Sequence, residues 1–511
     1  MKLVLPSAKY KLSYLNLLNS ARKNGDYKEL GNALLRDNES YDTLLKRLKD
    51  RRNGINIASR DVAATVYFIV DNGDVVGTID LRHKLNGNYL KRLGHIAYYI
   101  KPEKRNKGYA SHALSLAIEK YKQNGVDKIL ITCYSDNVAS KRVIEKNGGV
   151  LEKEVYDEKS SKNISRYYVD VNNIIVKPSV VWLTTNRTCN NKCNWCYTFN
   201  CRDRIMNYEN AKKYIDELKK NDIKKVILIG GEPTIYDRII DLVKYISENG
   251  IIVSMASNGR KFSDLVFAKK IVNAGLKNCN ISIKGSDEDE YLKNTNSIGF
   301  NQMVQGFHNL RARGINVSTS YVLCDKNYDK FDKFLKAFID AKLDNLVFQL
   351  YKPSVDGEFD GAPSIDDLAQ MCKYVFEKME ETNINYSFEM SIPLCCLEEN
   401  VLNRMIDKGR ITTCCHISKG KGIIFDTNFD ILPCNHFVNH PLNKHNVDKD
   451  KVIDFWNSDN ACDFRKIINT YPHVYCSKCN KWVQCGGGCF LRWLSSDPLL
   501  HINDKYVKDG D

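Results

Sequence analysis

The chain has 511 residues, of which 43% are hydrophobic and 27% charged, so ordinary globular cores and about three domains are expected. No apolar run approaches the ~18 residues of a transmembrane helix, and the N-terminus lacks the apolar core and cleavage site of a signal peptide. The formal net charge of +14 suits anionic ligands such as coenzymes; a solvated lysine-rich surface explains it more often than nucleic-acid binding does.

Residues 1–172 predict one α/β domain. Two helical stretches open it, and the runs TVYFIVD and DVVGTIDLRH then alternate as strands do, with Asn72-Gly73 between them as a strong hairpin signal. Further strands are predicted at GHIAYYI, KILITCYS and RYYVDV, with helices after Lys107 and Asn137. Residues 173–178 are predicted to be a linker.

The loop RNKGYASHAL joins a predicted strand to a helix and offers an anion site. Gly108 and Ala110 let backbone N–H groups approach a bound group, and a helix N-terminus suits a pyrophosphate. Arg105 and Lys107 add cationic donors. Alone, such a loop is more often only a turn.

In these surroundings the segment resembles the GNAT acyltransferase fold over about 170 residues. The loop matches the family's [QR]-x-x-G-x-[GA] motif, which holds the acetyl-CoA pyrophosphate, and NVASKRVIEKNGG matches its second coenzyme A motif. The resemblance implies acetyl-CoA binding and acetyl transfer to an amine. The coenzyme-binding positions that it implies are Arg105, Lys107, Gly108, Tyr109, Ala110 and Asn137.

The acid and base of this transfer are less clearly marked. Where the family often has a tyrosine general acid, this chain has Ile144. We therefore assign protonation of the leaving thiolate to Tyr134 or water, and deprotonation of the amine to His95, on the strand beside the acyl site. The alternatives are that His95 is only a packed strand residue and that the domain binds substrate without catalysing transfer.

Residues 179–390 alternate strand and helix patterns. Such alternation predicts parallel pairing and an α/β barrel or open sheet. After about residue 390 the periodicity gives way to cysteine and glycine, which predicts a region held by metal. The strands are predicted at SVVWLTT, KKVILIG, IIVSMAS, CNISIKG, VSTSYVL and NLVFQLY.

The 18 cysteines crowd the second part of the chain, since only Cys133 precedes residue 189. We expect a cytoplasmic chain with reduced thiols, in which dense cysteines indicate metal. Within TCNNKCNWCYT, Cys189, Cys193 and Cys196 fall close together. Three thiolates select an iron–sulfur cluster with one open iron, or a zinc ion completed by a residue such as Cys201.

The spacing C-x3-C-x2-C, with Trp195 before the third cysteine, resembles the signature of the radical S-adenosylmethionine (SAM) superfamily. It follows the first predicted strand, where ligands bind in such sheets. The resemblance implies that Cys189, Cys193 and Cys196 hold a [4Fe–4S] cluster whose open iron binds SAM, and that SAM is cleaved reductively to a 5′-deoxyadenosyl radical. We also expect an external electron donor such as flavodoxin or ferredoxin.

Further family-like positions follow the next strands. The GGEP stretch looks like the motif that contacts the SAM amino group, and polar residues end the third and fourth strands. Many relatives have an aspartate where this chain has Lys284. The SAM-binding positions implied by the resemblance are Trp195, Gly230, Gly231, Glu232, Pro233, Ser257, Asn258 and Ser282.

A second dense cysteine set, CSKCNKWVQCGGGC, has the spacing C-x2-C-x5-C-x3-C. In isolation it is also compatible with a zinc ribbon. It resembles the core of the SPASM extension, which follows radical SAM barrels and carries auxiliary [4Fe–4S] clusters. Cys415 and Cys434 match the family's earlier pair, although Phe429 or a neighbour stands where a glycine is usual.

The resemblance implies two auxiliary clusters. One would use Cys415, Cys434 and Cys489, completed by Cys414, Cys395 or Cys396. The other would use Cys476, Cys479 and Cys485. The family usually has one more cysteine downstream, but residues 490–511 contain none and offer only His501 or aspartates. The second cluster therefore has a substitute ligand or an open iron, or is absent.

Together these features predict an α/β chain of three parts: a GNAT domain (1–172), a partial (β/α)6 TIM-like radical SAM barrel (179–390) and a SPASM-like extension (391–511). The favoured function is a bifunctional enzyme that modifies a peptide by radical chemistry and acetylates the same product or an amine made from it. We expect a peptide or small-molecule substrate and no membrane.

Three other functions stay open. One is a radical SAM dehydrogenase or mutase on a small molecule such as an amino sugar. Another is tRNA modification, as in Elongator-type enzymes, although those have the two domains in reverse order and a different cysteine spacing. The last is a non-enzymatic protein in which every cysteine set binds structural zinc.

Overall fold

The computed structural model describes residues 1–59, 61–122, 124, 126–171, 178–198, 203–324, 330–357, 361–413, 415–417, 420–443, 447–468, 470–479 and 481–505. The chain divides into two compact units, residues 1–175 and 176–511, and each is described by itself. Most of the predicted linker at 173–178 lies outside the described residues. Among the helices of the described residues, none has the length and apolar character needed to cross a bilayer.

The first unit contains a mixed sheet with helices on both faces. Over the described residues the sheet has seven strands in the order β1-β2-β3-β4-β5-β7-β6. The strands are β1 (Lys2–Val4), β2 (Ala64–Asp71), β3 (Asp74–Arg82), β4 (Ile96–Ile100), β5 (Lys128–Tyr134), β6 (Gly149–Asp157) and β7 (Lys162–Asp170). The helices are α1 (Lys11–Lys23), α2 (Tyr41–Asn53), α3 (Tyr109–Lys122) and α4 (Val138–Lys146).

Two apolar clusters cover the two faces of this sheet. Helices α1 and α2 bury Leu17 and Leu44 in a cluster that includes Phe68 of β2. The neighbouring Ile69 belongs to the other cluster, with Leu114 of α3, because successive strand residues point to opposite faces. Burial on both faces explains why β2 is almost continuously apolar.

Strand β4 and strand β5 diverge. They pair in parallel at Ile96 and Ile131, with no second paired position among their described residues. The other edge of β4 pairs with β3 over five positions, from Ile96 to Ile100. The edge of β4 from Ala97 onward is therefore left open toward β5, which makes a notch that a ligand with an extended backbone can enter.

The predicted hairpin between β2 and β3 is confirmed. Asn72 and Gly73 both have positive φ, 47° and 88°, as a type I′ turn requires. Strand β6 has no counterpart in the sequence prediction. Its residues 150–156 are exposed at the edge of the sheet, so no alternation of buried and exposed positions marks it.

The second unit contains a longer sheet. Over the described residues it has ten strands in the order β15-β14-β13-β12-β11-β10-β9-β8-β16-β17. The strands are β8 (Val180–Thr184), β9 (Lys225–Ile229), β10 (Ile252–Ser257), β11 (Leu276–Ile283), β12 (Asn316–Leu323), β13 (Leu346–Leu350), β14 (Tyr386–Glu389), β15 (Ile411–Thr412), β16 (Gly422–Phe425) and β17 (Ile431–Leu432).

Strands β8 to β15 pair in parallel throughout. Helices lie between them: α5 (Tyr208–Lys220), α6 (Ile239–Glu248), α7 (Leu265–Asn273), α8 (Glu288–Thr295), α9 (Phe300–Arg311), α10 (Phe331–Asp340), α11 (Ile365–Glu380) and α12 (Glu399–Asp407). The six predicted strands are β8 to β13, and the strand order has two ends. The predicted partial α/β barrel is confirmed.

The chain beyond residue 390 continues this sheet. Strand β15 extends one edge, and β16 pairs in parallel with β8 at the other before turning back as β17. Short helices follow: α13 (Val452–Trp456), α14 (Asp459–Ile468), α15 (Val474–Lys478), α16 (Trp482–Cys485) and α17 (Pro498–His501). The division of this unit at residue 390 stays a prediction.

Candidate functional site

The predicted coenzyme A loop of the first unit has a backbone conformation suited to binding an anion, but its two cationic side chains already bind other groups of the protein. Gly108 has φ +81°, a conformation that favours glycine, and α3 begins at the next residue. The guanidinium of Arg105 forms an ion pair with Asp26 and donates through Nε to the Ile100 carbonyl over 3.0 Å. Lys107 is exposed and donates to the Glu103 carbonyl. A pyrophosphate here would draw on the helix N-terminus and Lys107 before Arg105.

Three other predicted positions of this unit lie at the starts of α3 and α4 and at the end of β5. Asn137 caps that helix by accepting from the Ser140 amide over 3.0 Å. Tyr109 of α3 donates its hydroxyl to Asp71 over 2.7 Å. Tyr134, at the end of β5, is 36% exposed. The ammonium of Lys162 lies over its ring, 5.0 Å from the centroid. Of these hydroxyls, that of Tyr134 is free to meet a ligand from solvent.

Ile144, which stands where relatives often have a tyrosine, is fully buried, so no acid projects from that point of α4. Sequence reasoning missed Tyr98 on β4, next to the notch between β4 and β5. Burial raises the pKa of Tyr98 to about 12, and a contact with Ser140 opposes the rise. Its hydroxyl is a second candidate proton donor, which only the divergence of β4 from β5 reveals.

The imidazole of His95 contacts the backbone of Leu130 and the ring of Tyr121. Its Nδ1 accepts from the Leu130 amide over 2.9 Å, and its ring meets Tyr121 edge-on at 5.5 Å. Burial lowers the pKa of His95 to about 4. The imidazole is therefore neutral near pH 7 with one nitrogen already engaged, and its role as a base stays a prediction.

The three-cysteine loop of the second unit follows β8 and is held by the GGEP stretch after β9. The Gly231 amide donates to the Asn186 carbonyl over 2.7 Å, and the Glu232 amide donates to the Thr188 carbonyl over 2.8 Å. A Cβ on Gly231 would lie 2.2 Å from the Thr188 oxygen, and one on Gly230 would lie 2.2 Å from the Asn186 oxygen. The two glycines are needed because the backbone just before Cys189 passes directly over them.

The carboxylate of Glu232 is buried and joins the ends of β9 and β10. Its Oε1 accepts from the Thr234 hydroxyl and the Ser257 hydroxyl, each over 2.7 Å, and its Oε2 accepts from the Asn258 amide over 2.7 Å. Most of its accepting capacity is therefore used within the protein. A contact from Glu232 to the SAM ammonium, as the sequence predicts, would compete with these bonds. Pro233, the next residue, is also buried.

A polar network fixes the cysteine loop from the side of β10. Asn258 donates from Nδ2 to Asn190 Oδ1 over 2.6 Å. Arg260 donates to the Asn190 carbonyl over 2.7 Å and to Asn191 Oδ1 over 2.8 Å. Asn191 in turn donates to the hydroxyl of the buried Tyr291. Residues between Cys189 and Cys193 are thus held by side chains from the loop after β10 and from α8.

The residues at the end of β11 are placed near this loop. The Ser282 hydroxyl lies 3.4 Å from that of Ser320 on β12. The ammonium of Lys284 lies 5.5 Å from the centre of the Trp195 ring, within the range of a cation–π contact. Where relatives often have an anion, this chain therefore presents a cation against the aromatic residue of its cysteine motif.

The donor set of the loop fits a cationic metal centre. Burial raises the pKa of Cys189 to about 12, and nearby Cys193 and Cys196 add to the rise, since adjacent thiolates repel one another. Bound iron would supply the positive charge that lets such thiols ionise and bind. Among the described residues, no three His, Cys, Asp or Glu side chains converge where a single metal ion would sit; in a [4Fe–4S] cluster each iron takes its own ligand.

The first auxiliary set lies at the carboxyl ends of β13 and β14. Burial raises the pKa of Cys434 to about 12, with Cys415 and Cys489 among its charged neighbours. Lys352 lies beside Cys434 and Cys489 and donates to Glu389 over 2.6 Å. That ammonium lowers the pKa of Glu389 to about 2. Cys415 and Cys489 thus lie near Cys434, their role as cluster ligands stays a prediction, and Cys414 lies outside the described residues.

The second auxiliary set gains neighbours that the sequence assigned to the first. Cys485 accepts from the Leu394 amide over 3.3 Å. Burial raises the pKa of Cys485 to about 12, and Cys395 and Cys479 add to the rise. The neighbouring Cys396 side chain lowers the pKa of Cys395 to about 7. Cys395 and Cys396 therefore lie near Cys485, and the residue that completes the set of Cys415, Cys434 and Cys489 stays a prediction. Chain order could not reveal this proximity, because the turn after β14 brings both residues to α16.

An aromatic contact joins the cysteine loop to the first auxiliary set. Tyr197 follows Cys196 directly, and its ring stacks on that of His436 with centroids 4.4 Å apart and planes 25° from parallel. His436 lies two residues after Cys434. The two cysteine sets are therefore connected through stacked rings as well as through the sheet.

A parallel partial barrel with three cysteines on the loop after its first strand defines a class of protein. Residues 183–338 match the family model of the radical SAM superfamily, and residues 19–150 match that of the GNAT acetyltransferase domain. The chain carries a GNAT domain followed by a radical SAM domain, as predicted, and both matches support an enzyme. The radical SAM match implies a [4Fe–4S] cluster and SAM.

Curated relatives match only part of the chain. Fe-coproporphyrin III synthase of Methanosarcina barkeri is 28% identical over 176 residues, which are 34% of this chain and 43% of the relative. GTP 3′,8-cyclase of Petrotoga mobilis is 26% identical over 206 residues, which are 39% of this chain and 63% of the relative. The chain thus spans less than two thirds of the length of either relative.

Solved structures match a larger share. SuiB of Streptococcus suis bound to S-adenosylmethionine has a TM-score of 0.52 at 16% identity, over 85% of this chain and 97% of its own. The protein anSMEcpe with bound AdoMet has a TM-score of 0.51 at 16% identity, over 65% of this chain and 93% of its own. At this identity the likeness concerns the fold, and the predicted fold class is confirmed.

Proposed function

We propose that this chain is a bifunctional enzyme that cleaves SAM to a 5′-deoxyadenosyl radical, modifies a peptide, and transfers an acetyl group from acetyl-CoA to an amine. The observation that carries the proposal is the loop of Cys189, Cys193 and Cys196, fixed by the backbone of Gly231 and Glu232. Three thiols in a rigid loop at the carboxyl end of a parallel strand suit a cluster with one open iron.

A peptide substrate is supported by the solved structures with this fold. SuiB has been solved bound to the precursor peptide SuiA, and anSMEcpe with bound AdoMet and the Kp18Cys peptide. Both likenesses extend over more than nine tenths of those chains. We carry the substrate class, a peptide, over to this chain as a proposal.

When bound, the cluster and SAM supply the one-electron chemistry and the radical. The residues of this chain hold the cysteine loop in place and orient the substrate. Asn258 and Arg260 keep the cysteine loop in one conformation, and Trp195 with Lys284 closes one side of it. Lys352 and Glu389, at the ends of β13 and β14, form a charged pair that can orient a polar substrate group where the barrel strands end.

The acetyl transfer is assigned to the notch between β4 and β5. Lys107 and the N-terminus of α3 bind the pyrophosphate, and the open edge of β4 binds the extended arm of the coenzyme. Tyr134 or water protonates the leaving thiolate, and His95 accepts the amine proton.

Anaerobic incubation with SAM, a reductant such as reduced flavodoxin or ferredoxin, and acetyl-CoA tests both activities when 5′-deoxyadenosine and free CoA are measured separately. We expect Cys193→Ser to abolish 5′-deoxyadenosine formation and to leave CoA release unchanged. The matched control is Cys462→Ser, at a half-buried cysteine of α14 outside the predicted ligand sets. Zinc in place of iron, or intact SAM under strong reduction, would refute the radical activity.

The acetyl transfer has its own test. Tyr134→Phe should lower the rate of CoA release by about 10²-fold, the usual contribution of a positioned acid, while Tyr156→Phe, at a 60% exposed tyrosine of β6, should not. Loss in Tyr98→Phe with full activity in Tyr134→Phe would move the proton donor to Tyr98.

A small-molecule substrate is the second candidate, because the curated relatives are named for the formation of Fe-coproporphyrin III and the cyclisation of GTP. A peptide substrate predicts 5′-deoxyadenosine formation that rises on addition of a short peptide encoded beside this chain's gene. A small-molecule substrate predicts that a biosynthetic intermediate such as an amino sugar stimulates it instead.

A further inference from the structure

The second auxiliary set is one thiol short in the order that the SPASM pattern predicts. Cys476, Cys479 and Cys485 supply three, and residues 490–511 contain no cysteine. A [4Fe–4S] cluster held entirely by cysteine needs four. A fourth cysteine ligand would therefore have to come from another part of the chain.

The turn after β14 is bound to the segment that carries this set. The Leu394 amide donates to Cys485 Sγ over 3.3 Å, and the Cys489 amide donates to the Ser391 carbonyl over 2.9 Å. A Cβ on Gly488 would lie 2.9 Å from the carbonyl carbon of Ile392. The residues just before Cys395 are thus fixed against both ends of the stretch from Cys485 to Cys489.

Two adjacent cysteines of this turn point to different surroundings. Cys395 packs on a small cluster made of Cys476, Trp482 and Ile502. Cys396 instead packs against the main core of the unit and donates its thiol to the His501 carbonyl over 3.3 Å. Cys395 is therefore the member of the pair that packs with Cys476 of the second set, while Cys485 of that set packs, like Cys396, against the main core.

The C-terminal residues close over the same turn. Asn503 donates to the Cys395 carbonyl over 3.2 Å, and Lys505 donates to the Leu397 carbonyl over 2.8 Å. The His501 imidazole lies near Asp366, with 3.7 Å between Nδ1 and Oδ1. The side chains of Asn503 and Lys505 thus donate to backbone carbonyls of this turn, while the imidazole of His501 faces Asp366.

We propose that Cys395 is the fourth protein ligand of the second auxiliary [4Fe–4S] cluster, with Cys476, Cys479 and Cys485. The inference rests on the proposed function, which supplies the cluster. On binding, the Cys395 thiol loses its proton to solvent and its sulfur bonds to iron. With four cysteine ligands this cluster has no open iron for substrate.

The test compares neighbouring serine variants of the full chain, purified and reconstituted anaerobically. Wild type should hold about twelve iron atoms per chain, four for each of three clusters. Cys395→Ser should lose about one to four of these iron atoms. Its EPR spectrum should either gain the signal of a [3Fe–4S] cluster or lose the signal of the second auxiliary cluster. Cys396→Ser, the matched control, should keep the wild-type iron content and spectrum.

Each other outcome has one meaning. Full iron and an unchanged spectrum in Cys395→Ser would overturn the inference, and so would the loss of one cluster in Cys396→Ser or His501→Ala instead. Zinc in wild type would refute the proposed function itself. Iron at the Cys189 loop with an intact second cluster in every variant would spare that function and refute only the role of Cys395.

A measurement on wild type covers the case in which Cys395→Ser does not fold. Alkylation followed by mass spectrometry should label Cys395 at least about tenfold less in the cluster-loaded chain than after chelation of iron. Cys462, also half-buried, should label equally in both. Equal labelling of Cys395 with and without iron would overturn the inference.

Discussion

The side chains of Arg187 and Asp426 form a buried ion pair, with 2.8 Å between Nη2 and Oδ1. The Arg187 Nε donates to the same oxygen over 2.9 Å. Arg187 lies two residues before Cys189, whereas Asp426 follows β16. The pair therefore anchors the predicted SAM-cluster loop to a part of the chain more than two hundred residues downstream.

Removing one partner leaves a buried charge without compensation. We expect Asp426→Asn to lower the free energy of unfolding of the second unit by about 3–5 kcal/mol and to reduce iron at the Cys189 loop. Urea unfolding under anaerobic conditions, followed by tryptophan fluorescence, measures the first effect, because all 5 tryptophans lie in this unit. Asp241→Asn, in an exposed ion pair with Arg238, should cost less than about 1 kcal/mol; equal losses would contradict the prediction.

Gly231→Ala tests the support of the cysteine loop. Its Cβ would meet the Thr188 and Arg187 carbonyl oxygens at 2.2 and 2.3 Å, so the loop must shift. We expect SAM binding to weaken by at least about tenfold, measured by equilibrium dialysis of the reconstituted protein. Gly87→Ala, where a Cβ would meet nothing within 4 Å, is the control, and normal binding by Gly231→Ala would show that the backbone contact is dispensable.

Phe429 has φ +68°, a conformation that favours glycine, and it stacks on Tyr214 with 4.1 Å between centroids. Phe429→Gly relieves about 1–2 kcal/mol of left-handed strain but forfeits about 3–5 kcal/mol of buried aromatic contact. We expect a net loss of about 2 kcal/mol in urea unfolding. Asn296→Gly, at another left-handed position, should change stability little; a gain in Phe429→Gly would mean that strain outweighs packing.

His95 makes the first unit sensitive to acid. Burial lowers its pKa from 6.5 to about 4, so the folded state binds a proton less readily than the unfolded state. Its contribution is complete above pH 6.5 and is lost as the pH falls toward 4, by about 3 kcal/mol in all. Pulse proteolysis of the N-terminal unit in urea should show this loss, and His95→Asn should flatten it; an unchanged profile would exclude His95 as the cause.

The sequence predicts this fold best where a strand is buried and its residues therefore form a recognisable apolar run. The apolar runs that became β8 to β13 lie in a parallel sheet covered by helices, so each is recognisable by itself. Strand β6 is exposed at an edge, and β15 and β17 have two residues each, too few to show any period. Their formation depends on partners that are distant in the chain.

The candidate sites divide in the same way. Local spacing was enough to propose Cys189, Cys193 and Cys196 as a set. It was not enough for Cys395, whose relation to Cys485 depends on a turn about ninety residues upstream. The role of Glu232 as a ligand contact stays a prediction, because local spacing does not reveal the internal hydrogen bonds that its carboxylate accepts.

Strand β8 is flanked on both sides, by β9 and by β16. Gly422 of β16 lies so close that a Cβ there would be 2.1 Å from the Trp182 ring. A truncated chain ending before residue 422 would leave one side of β8 with unpaired amides and carbonyls. Such an edge can pair with the same edge of another chain, so we expect the truncated chain to self-associate. The barrel segment therefore depends on β16 to cover the free side of β8, and its boundary for expression lies beyond residue 425 and not at the end of the last barrel helix.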